Sequence, residues 1–247
     1  MHERATESEP TGSHPREVHD LTTLTTYRAA LRVFFSRPGP RRIAATAASC
    51  WLARAALGPA SPGEVALAAS VAAWWPLQEW LMHRHLLHLE PRTIGPWTFD
   101  PIFAKRHRFH HQHPSDVDGT LLPVAVIEAA IPAASAALLL LSGPRRRTVT
   151  AMATYSTMAL VYEWTHFLVH TGIRPEGGYF RKVRQNHRLH HFRSEHHWLG
   201  FTVPLVDRWL GTDPDPASVP RSQTATDLHG LGGATTDSAR GAVRAGR

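Results

Sequence analysis

Ten of the eighteen histidines in this 247-residue chain fall into four short clusters, and each cluster stands at the end of an apolar stretch. They are His83 and His88 in HRHLLH, His107, His110 and His111 in HRFHH, His166 and His170 in HFLVH, and His187, His190 and His191 in HRLHH. Imidazole is the commonest protein metal ligand near neutral pH, and it suits iron, zinc and copper. One tetrahedral zinc takes about four ligands. Ten histidines are therefore too many for one ion and fit two. Any fold of this chain has to bring four segment ends to one place.

The apolar stretches are Ile43 to Leu57, Val65 to about Trp80, Leu121 to Leu141 and Thr148 to about Val169. A membrane crossing needs about 20 mostly apolar residues, which the third and fourth supply. The first two are shorter and carry Arg54, Gln78 and Glu79 near ends from which long side chains can snorkel. Helices of a soluble four-helix bundle would each keep a polar face. The third stretch, LLPVAVIEAAIPAASAALLLL, has almost none, Glu128 being the exception. The fold expected is all-α: an integral membrane protein of about four transmembrane helices with a histidine-rich helical cap. Mean hydropathy is only −0.25, because polar tails and histidine-rich loops dilute the apolar spans.

Residues 1–24 lack apolar periodicity and read as a disordered tail. Thr25 to Ser36 reads as a short amphipathic, interfacial helix with Tyr27, Leu31, Phe34 and Phe35 on one side, ended by the proline-rich stretch Arg37 to Arg42. The membrane domain is expected over 25–213. Residues 214–247, rich in Gly, Pro, Ser and Thr, read as a second disordered tail. No apolar run follows the first charges, so the start is not expected to be a signal peptide.

With four crossings, both tails and the stretches after spans two and four share one side, and all four clusters can converge there. That side also holds Arg37, Arg41, Arg42, Lys105, Arg106, Arg181, Lys182 and Arg184. The positive-inside rule makes it cytoplasmic, although Arg145, Arg146 and Arg147 then face outward. The net charge of +7 is not arranged as a basic stripe interleaved with aromatics, so no nucleic-acid partner is expected. Cys50 is the single cysteine, which excludes an internal disulfide and a thiolate metal site.

On a helix, positions i, i+3 and i+4 share a face. His107, His110 and His111 have that spacing, as do His187, His190 and His191; His166 and His170 are i, i+4. His83 and His88 are five apart and need a helix end or a turn. Zinc hydrolysis would call for a carboxylate base, as in H-E-x-x-H, and that motif is absent. A redox metal pair activating oxygen against an unactivated C–H bond fits better. Glu79, four before His83, and Glu163, three before His166, are expected behind the ligands, accepting imidazole N–H groups; the Glu-x-x-His spacing at Glu163 is that of carboxylate-bridged di-iron bundles. Asp116 and Asp207 are similar candidates or turn caps. His113 reads as structural or substituting, His196 and His197 as lining the site or a solvated loop, and His85 as an extra. His2, His14, His19 and His229 lie in the tails and are given no role. Trp74, Trp75, Trp80 and Trp198 read as an interfacial aromatic belt or as walls of a lipid slot.

The segments EWLMHRHLLH, KRHRFHHQHPSD, YEWTHFLVH and NHRLHHFRSEHHWLGFTVPLVDRWLGT resemble the membrane-bound fatty acid hydroxylase and sterol desaturase superfamily, in the manner of its bacterial members, over roughly Trp74 to Asp213. The resemblance implies that all ten clustered histidines bind a dinuclear metal centre at the cytoplasmic face, or neighbour it directly. The metal is usually iron, with zinc able to occupy imidazole sites in purified samples. O2 is the implied co-substrate, and no catalytic group distinct from the ligands is implied. Thr171 stands where the 2-hydroxylase branch tends to have a histidine, and Gly119 and Thr120 precede Leu121 where that branch tends to have an arginine. The expected activity is hydroxylation, or else desaturation, of a lipid such as a fatty acyl chain or sterol. Electrons would come from a separate ferredoxin- or cytochrome-type protein, because no haem-binding domain is fused. Alternatives are a carotenoid hydroxylase with similar histidine boxes, a membrane metal transporter or metal-binding protein, and a membrane haem protein.

Overall fold

The computed structural model describes residues 20–143 and 145–231. Four long helices form its frame: α2 (Pro38–Ala56), α3 (Pro62–Met82), α6 (Val124–Ser142) and α7 (Arg145–Val169). At 19, 21, 19 and 25 residues, they run about 28–38 Å, close to the ~30 Å of a bilayer's hydrocarbon core. Among the described residues one of them is also apolar enough to cross a membrane. It belongs to the stretch Val117–Ser142, whose most apolar window is only 6% buried, with Leu140 and Leu141 more than 80% exposed. That stretch contains the third expected span. The other three overlap their expected spans but begin three to five residues earlier and are longer, and their composition is more polar.

α7 is the central helix, packed against α2, α3 and α6. Its buried Thr150 and Thr154 hydroxyls donate to carbonyls four residues back (2.9 and 3.0 Å), and Thr150 also reaches Glu64 on α3 (3.3 Å). The alanine-rich sequence of α2 permits its close approach to α7, and Trp51 Nε1 reaches Thr157 Oγ1 (2.9 Å). The prolines at 38 and 40 do not form a linker. Pro38 is the first residue of α2, where its missing N–H costs nothing. A capping box of Ser61 and Glu64 starts α3. Arg54 does not snorkel; it is buried and paired with Glu64 (3.1 Å). Arg146 reaches the same carboxylate (3.6 Å) and the Pro59 carbonyl (2.7 Å). One arginine of the Arg145–Arg147 triplet is thus held by a specific partner at that end.

Shorter elements gather at the opposite end: α1 (Tyr27–Ser36), α4 (Ile102–Gln112), α5 (Val117–Thr120), α8 (Gly178–Phe192) and α9 (Leu205–Trp209). α1 buries Ala30 and Phe34, not the whole expected face. Phe34 meets Trp164 and Phe167 edge-on, and Tyr27, Leu31 and Phe35 stay exposed. The architecture is mostly helical, as the all-α expectation has it, with one small addition. An exposed hairpin, β1 (Arg92–Ile94) with β2 (Trp97–Phe99), turns at Gly95 with φ +60°.

Both expected tails are partly ordered. Of the first, residues 1–19, with His2, His14 and His19, lie outside the described residues. Asp20 to Leu24 form a strap in which Leu21 and Leu24 are buried and Leu21 N–H donates to the Ser115 carbonyl (2.8 Å). The strap requires Gly172, because a Cβ there would lie 2.3 Å from the Thr22 carbonyl oxygen. The second strap, residues 214–231, runs across the histidine-bearing end, with Val219, Ala225 and Leu228 buried. Residues 232–247 lie outside the described part.

Candidate metal centre

The ten clustered histidines meet as two groups of five: His83, His88, His107, His111 and His190, and His110, His166, His170, His187 and His191. The candidate ligand nitrogens of each group lie within 4.8 Å of one another. Local geometry explains the membership. His83–Leu87 is a turn of π-helix in which His88 N–H donates to the His83 carbonyl (3.3 Å). That i, i+5 bond aligns two histidines that an α-helix would splay. On α4, His107 and His111 face the first group and His110 the second. On α8 the assignment is crossed: His187 and His191 face the second group and His190 the first. The end of α7 supplies His166 and His170.

Within the first group, His107 Nε2 stands 3.1 Å from His83 Nε2, and 3.2 Å each from the Nε2 atoms of His88 and His111. His190 Nε2 is 3.2 Å from His111 Nε2. In the second group, Nε2 contacts join His166 to His110 (3.1 Å), His170 to His187 (2.8 Å) and His191 to His187 (3.0 Å). One N–H cannot satisfy three facing nitrogens. Nitrogens bonded at about 2.0–2.1 Å to a shared ion stand about 3 Å apart when at right angles. The convergence therefore fits one ion per group.

Hydrogen bonds on the far side of the rings agree. His83 Nδ1 donates to the Leu199 carbonyl (2.6 Å), His111 Nδ1 to Ala225 (2.8 Å) and His190 Nδ1 to His197 (3.0 Å). A carbonyl only accepts, so each Nδ1 carries the proton and each Nε2 offers a lone pair. Burial favours the neutral ring. It takes His83 down to about 4 and His111 to about 3, against the pull of the two carbonyls. His88, His107, His110, His187, His190 and His191 are likewise held well below the usual histidine range by burial and by neighbouring histidines. Neutral imidazoles are what a metal needs.

The carboxylates act one layer further out than expected. Glu79 accepts Phe201 N–H (2.7 Å), Thr202 N–H (2.9 Å) and the Thr202 hydroxyl. Asp207 accepts Leu199 N–H and Gly200 N–H (2.9 Å each) and the Thr212 hydroxyl (2.6 Å). Together they clamp four consecutive amides, 199–202, and so aim the Leu199 carbonyl at His83. Gly200 has to be glycine, because a Cβ there would meet Val206 Cγ1 at 2.5 Å. Phe201, on the same loop, packs against His83, His166 and His187 (centroids 5.1–5.7 Å) and so touches both groups. Burial pushes Asp207 up to about 6, its three donors pulling the other way. Glu163 Oε1 accepts Leu122 N–H (2.7 Å), joining α7 to the start of α6. Asp116 caps α5 through Gly119 N–H (2.5 Å). No hydrogen bond in the described structure joins any of the four to an imidazole N–H; at His83, His111 and His190 a backbone carbonyl takes that place.

Other candidates fall outside the two groups. His113 stacks on Phe109 (4.5 Å). His196 is exposed beside Glu195 (3.6 Å). His197 contributes its carbonyl to His190, while its ring meets Ser194 (3.0 Å). His85 is exposed. Of the four tryptophans read as a belt, Trp74 is exposed and the other three are buried. Trp80 Nε1 donates to Thr212 Oγ1 (2.9 Å), and Trp75 lines a cavity. The second strap has functional contacts that sequence reading missed. Besides Ala225 on His111, Ser222 and Thr224 hold Glu195 (3.0 and 2.5 Å), Asp227 accepts from Gln112 (2.9 Å), and His229 Nε2 donates to the His88 carbonyl (3.0 Å).

Beside the histidines, an apolar cavity of about 220 Å³ lies among α2, α3, α6 and α7. It runs past Ile127, Ile131 and Met152 to Met82, Leu122 and Tyr162. Met82 precedes His83 in the chain, and the Tyr162 ring is 6.2 Å from the His166 ring.

A helical frame holding two five-histidine groups, each able to hold a metal ion, beside an apolar cavity defines the class of protein to which the site belongs. The chain belongs to the fatty acid hydroxylase family, whose profile matches residues 68–212. It is 29% identical over 150 residues to the dihydroceramide fatty acyl 2-hydroxylase FAH2 of Arabidopsis thaliana, covering 57% of each chain. With human fatty acid 2-hydroxylase it is 26% identical over 133 residues, 54% of this chain and 35% of that one. It thus spans between about a third and three fifths of these relatives' lengths. The solved structure titled "Full length scs7p (only hydroxylase domain visible)" shares the fold: TM-score 0.58 at 18% identity, over 81% of this chain and 70% of that one.

Proposed function

We propose that this protein is a membrane-embedded non-haem di-iron oxidoreductase that hydroxylates a lipid, of which a fatty acyl chain is the favoured example. The observation that carries the reading is the apolar cavity ending beside two groups of five neutral histidines, four of each group buried. Its relatives' names specify 2-hydroxylases of fatty acids and dihydroceramide fatty acyl groups, which favours hydroxylation over desaturation. His83, His88, His107, His111 and His190 would hold one iron, and His110, His166, His170, His187 and His191 the other. Bound there, the metal pair supplies oxygen activation, in the balance RH + O2 + 2e⁻ + 2H⁺ → ROH + H2O.

The chain's own residues do the rest. Ile127, Ile131 and Met152 enclose the alkyl chain and exclude water. Gln78 and Tyr155, hydrogen-bonded to each other (2.8 Å), are a polar pair on the wall where a substrate oxygen can register. Tyr162 and Met82 fix how near the chain comes to the rings. In the membrane, α2, α3, α6 and α7 would be the four crossings, with the histidine-bearing cap on the cytoplasmic side. The basic residues at that end support this orientation, as does the pairing of Arg146 with Glu64 at the other. The electrons would come from a separate ferredoxin- or cytochrome-type protein.

The test is mass spectrometry of total lipids from the native host with and without the gene. The expected result is a lipid class that loses one oxygen on deletion. Loss of a double bond instead would make the enzyme a desaturase, and an unchanged lipid profile would overturn the reading.

A further inference from the structure

The face of α8 opposite its histidines is strongly basic. At helical spacing, Arg181, Arg184 and Arg188 line the outer side while His187, His190 and His191 point inward. With Arg193 and Arg221 these arginines form an open surface groove of about 650 Å³. No acidic side chain lines it, and none of the five arginines joins an ion pair among the described residues. The nearby acid Asp213 is already taken by Lys182 and Arg208 (3.2 and 3.1 Å). Arg184 is crowded by like charge from Arg188 and Arg174. Arg184 donates to the Ile173 carbonyl and Arg193 Nε to the Val219 carbonyl (2.7 Å), so backbone contacts hold the cluster in place while its remaining N–H donors and positive charge face the open groove, a surface suited to carboxylates.

Its position matters as much as its charge. α8 carries groove arginines on its outer face and three of the ten histidines on its inner face, and His170, whose Nε2 is 2.8 Å from that of His187 on this helix, is one of two histidines among the ten that are not fully buried. The other, His88, has the ordered strap beside it through His229. The groove thus lies on the outer face of a helix that contributes histidines to both groups. The reaction proposed above consumes two electrons per turnover, and the cages are otherwise buried.

We propose that the arginine groove on the outer face of α8 is the docking surface for an acidic electron-donor protein, with α8, which bears His187, His190 and His191 on its other face, standing between the donor and the metal pair. The inference rests on the oxidoreductase reading. Carboxylates of the donor would occupy the groove as bidentate partners of the arginines, flanked by Phe192, over which Arg188 lies (5.8 Å).

The experiment uses the full chain in nanodiscs and, as probe, a plant-type [2Fe–2S] ferredoxin, a strongly acidic protein. Binding and donor-driven turnover are compared for wild type, the triple variant Arg181→Glu/Arg188→Glu/Arg221→Glu, and a matched reversal elsewhere, Arg28→Glu/Arg32→Glu/Arg92→Glu. The expected result for the groove variant is a Kd and a KM for ferredoxin raised about 30-fold at low salt, the gap closing as salt screens the charges. Its metal content should stay that of wild type, and the control should shift by less than about 3-fold. Unchanged Kd and KM in the groove variant would overturn the proposal. So would loss of binding to phosphatidylglycerol vesicles with ferredoxin binding intact, which would assign the groove to lipid head groups. Wild type that binds ferredoxin but oxidises no lipid with either ferredoxin or dithionite as reductant would instead overturn the oxidoreductase reading.

Discussion

The two histidine groups are alike in count and unlike in construction. Each takes five imidazoles: two from one of the helices α4 and α8, one from the other, and two from the end of a long helix. In the first group the long-helix pair comes from a π-turn, and three of the five rings are braced through Nδ1 by carbonyls of Leu199, His197 and Ala225. In the second, the pair comes from the regular end of α7, and His187 Nδ1 and His191 Nδ1 have no hydrogen-bond partner. Packing orients these rings instead: His191 stacks on His111 at 4.2 Å, and Phe201 presses on His166 and His187. A brace by hydrogen bond fixes tautomer and direction together, whereas packing fixes direction alone. The first group is thus held by loop and strap, and the second by the helices themselves.

The largest expected effect tests the crossed assignment. His190 and His191 are adjacent in sequence but serve different groups. With about two ions per wild-type chain, His107→Ala/His190→Ala places both lesions in the first group and should leave about one ion. His190→Ala/His191→Ala damages both groups and should leave none. Metal analysis of purified protein reads the difference. Equal content in the two double variants would break the partition, and full occupancy in both would break the metal assignment altogether.

Acid should act on both groups next. Each buried ring has a folded-state pKa below the ~6.5 of an unfolded histidine. Between the two values the unfolded chain binds protons that the folded chain refuses, so stability is fully present above pH ~6.5 and declines as pH falls. For the first group the decline extends towards 4 and 3, the values at His83 and His111. Thermal unfolding of metal-free protein in detergent should show a midpoint falling steadily from pH 7 to 4.5. A flat profile would mean that these rings are not buried as neutral imidazoles.

Cutting the strap should separate the groups again. A chain ending at Ser218 lacks Ala225, and His111 loses its carbonyl brace. Losing such an outer partner typically costs 10–100-fold in metal affinity. The expected result is weaker retention of one ion in competition with a chelator, the second ion remaining as in wild type. Equal loss of both ions would show that the strap supports the whole end of the molecule and not one cage.

These tests follow the boundary between what the sequence made legible and what it hid. Type and spacing were enough to pick the ten histidines as one set, because nothing else explains four repeated clusters. Which ring joins which group depends on how α4 and α8 face each other, a tertiary fact that spacing does not encode. The five-residue step from His83 to His88 signalled an irregularity, and the π-turn resolves it. Glu79 and Asp207 stood out as acids near ligands in the sequence, but their partners are amides 199–202, and amides leave no mark in a sequence. The strap was hidden for the same reason. Its composition is that of a disordered tail, and its main contribution to the site is the backbone carbonyl of Ala225. Phe201 was visible only as part of a motif; its contact with both groups required the fold.

The smallest expected effect is at His229, whose Nε2 donates to the His88 carbonyl from a left-handed backbone with φ +66°. His229→Asn keeps a residue that tolerates this conformation and removes only the reach of the ring. One exposed hydrogen bond contributes about 0.5–1.5 kcal/mol, and this one acts on a ligand's backbone, not on its ring. Retention of the first ion should therefore weaken by only ~2- to 10-fold, and the second should be untouched. The π-turn would then be held mainly by its own His83–His88 bond and by the packing of α4. A loss as large as that of the truncated chain would reverse this order, making His229 the principal anchor of the strap and the His88 backbone the least stable part of the first cage.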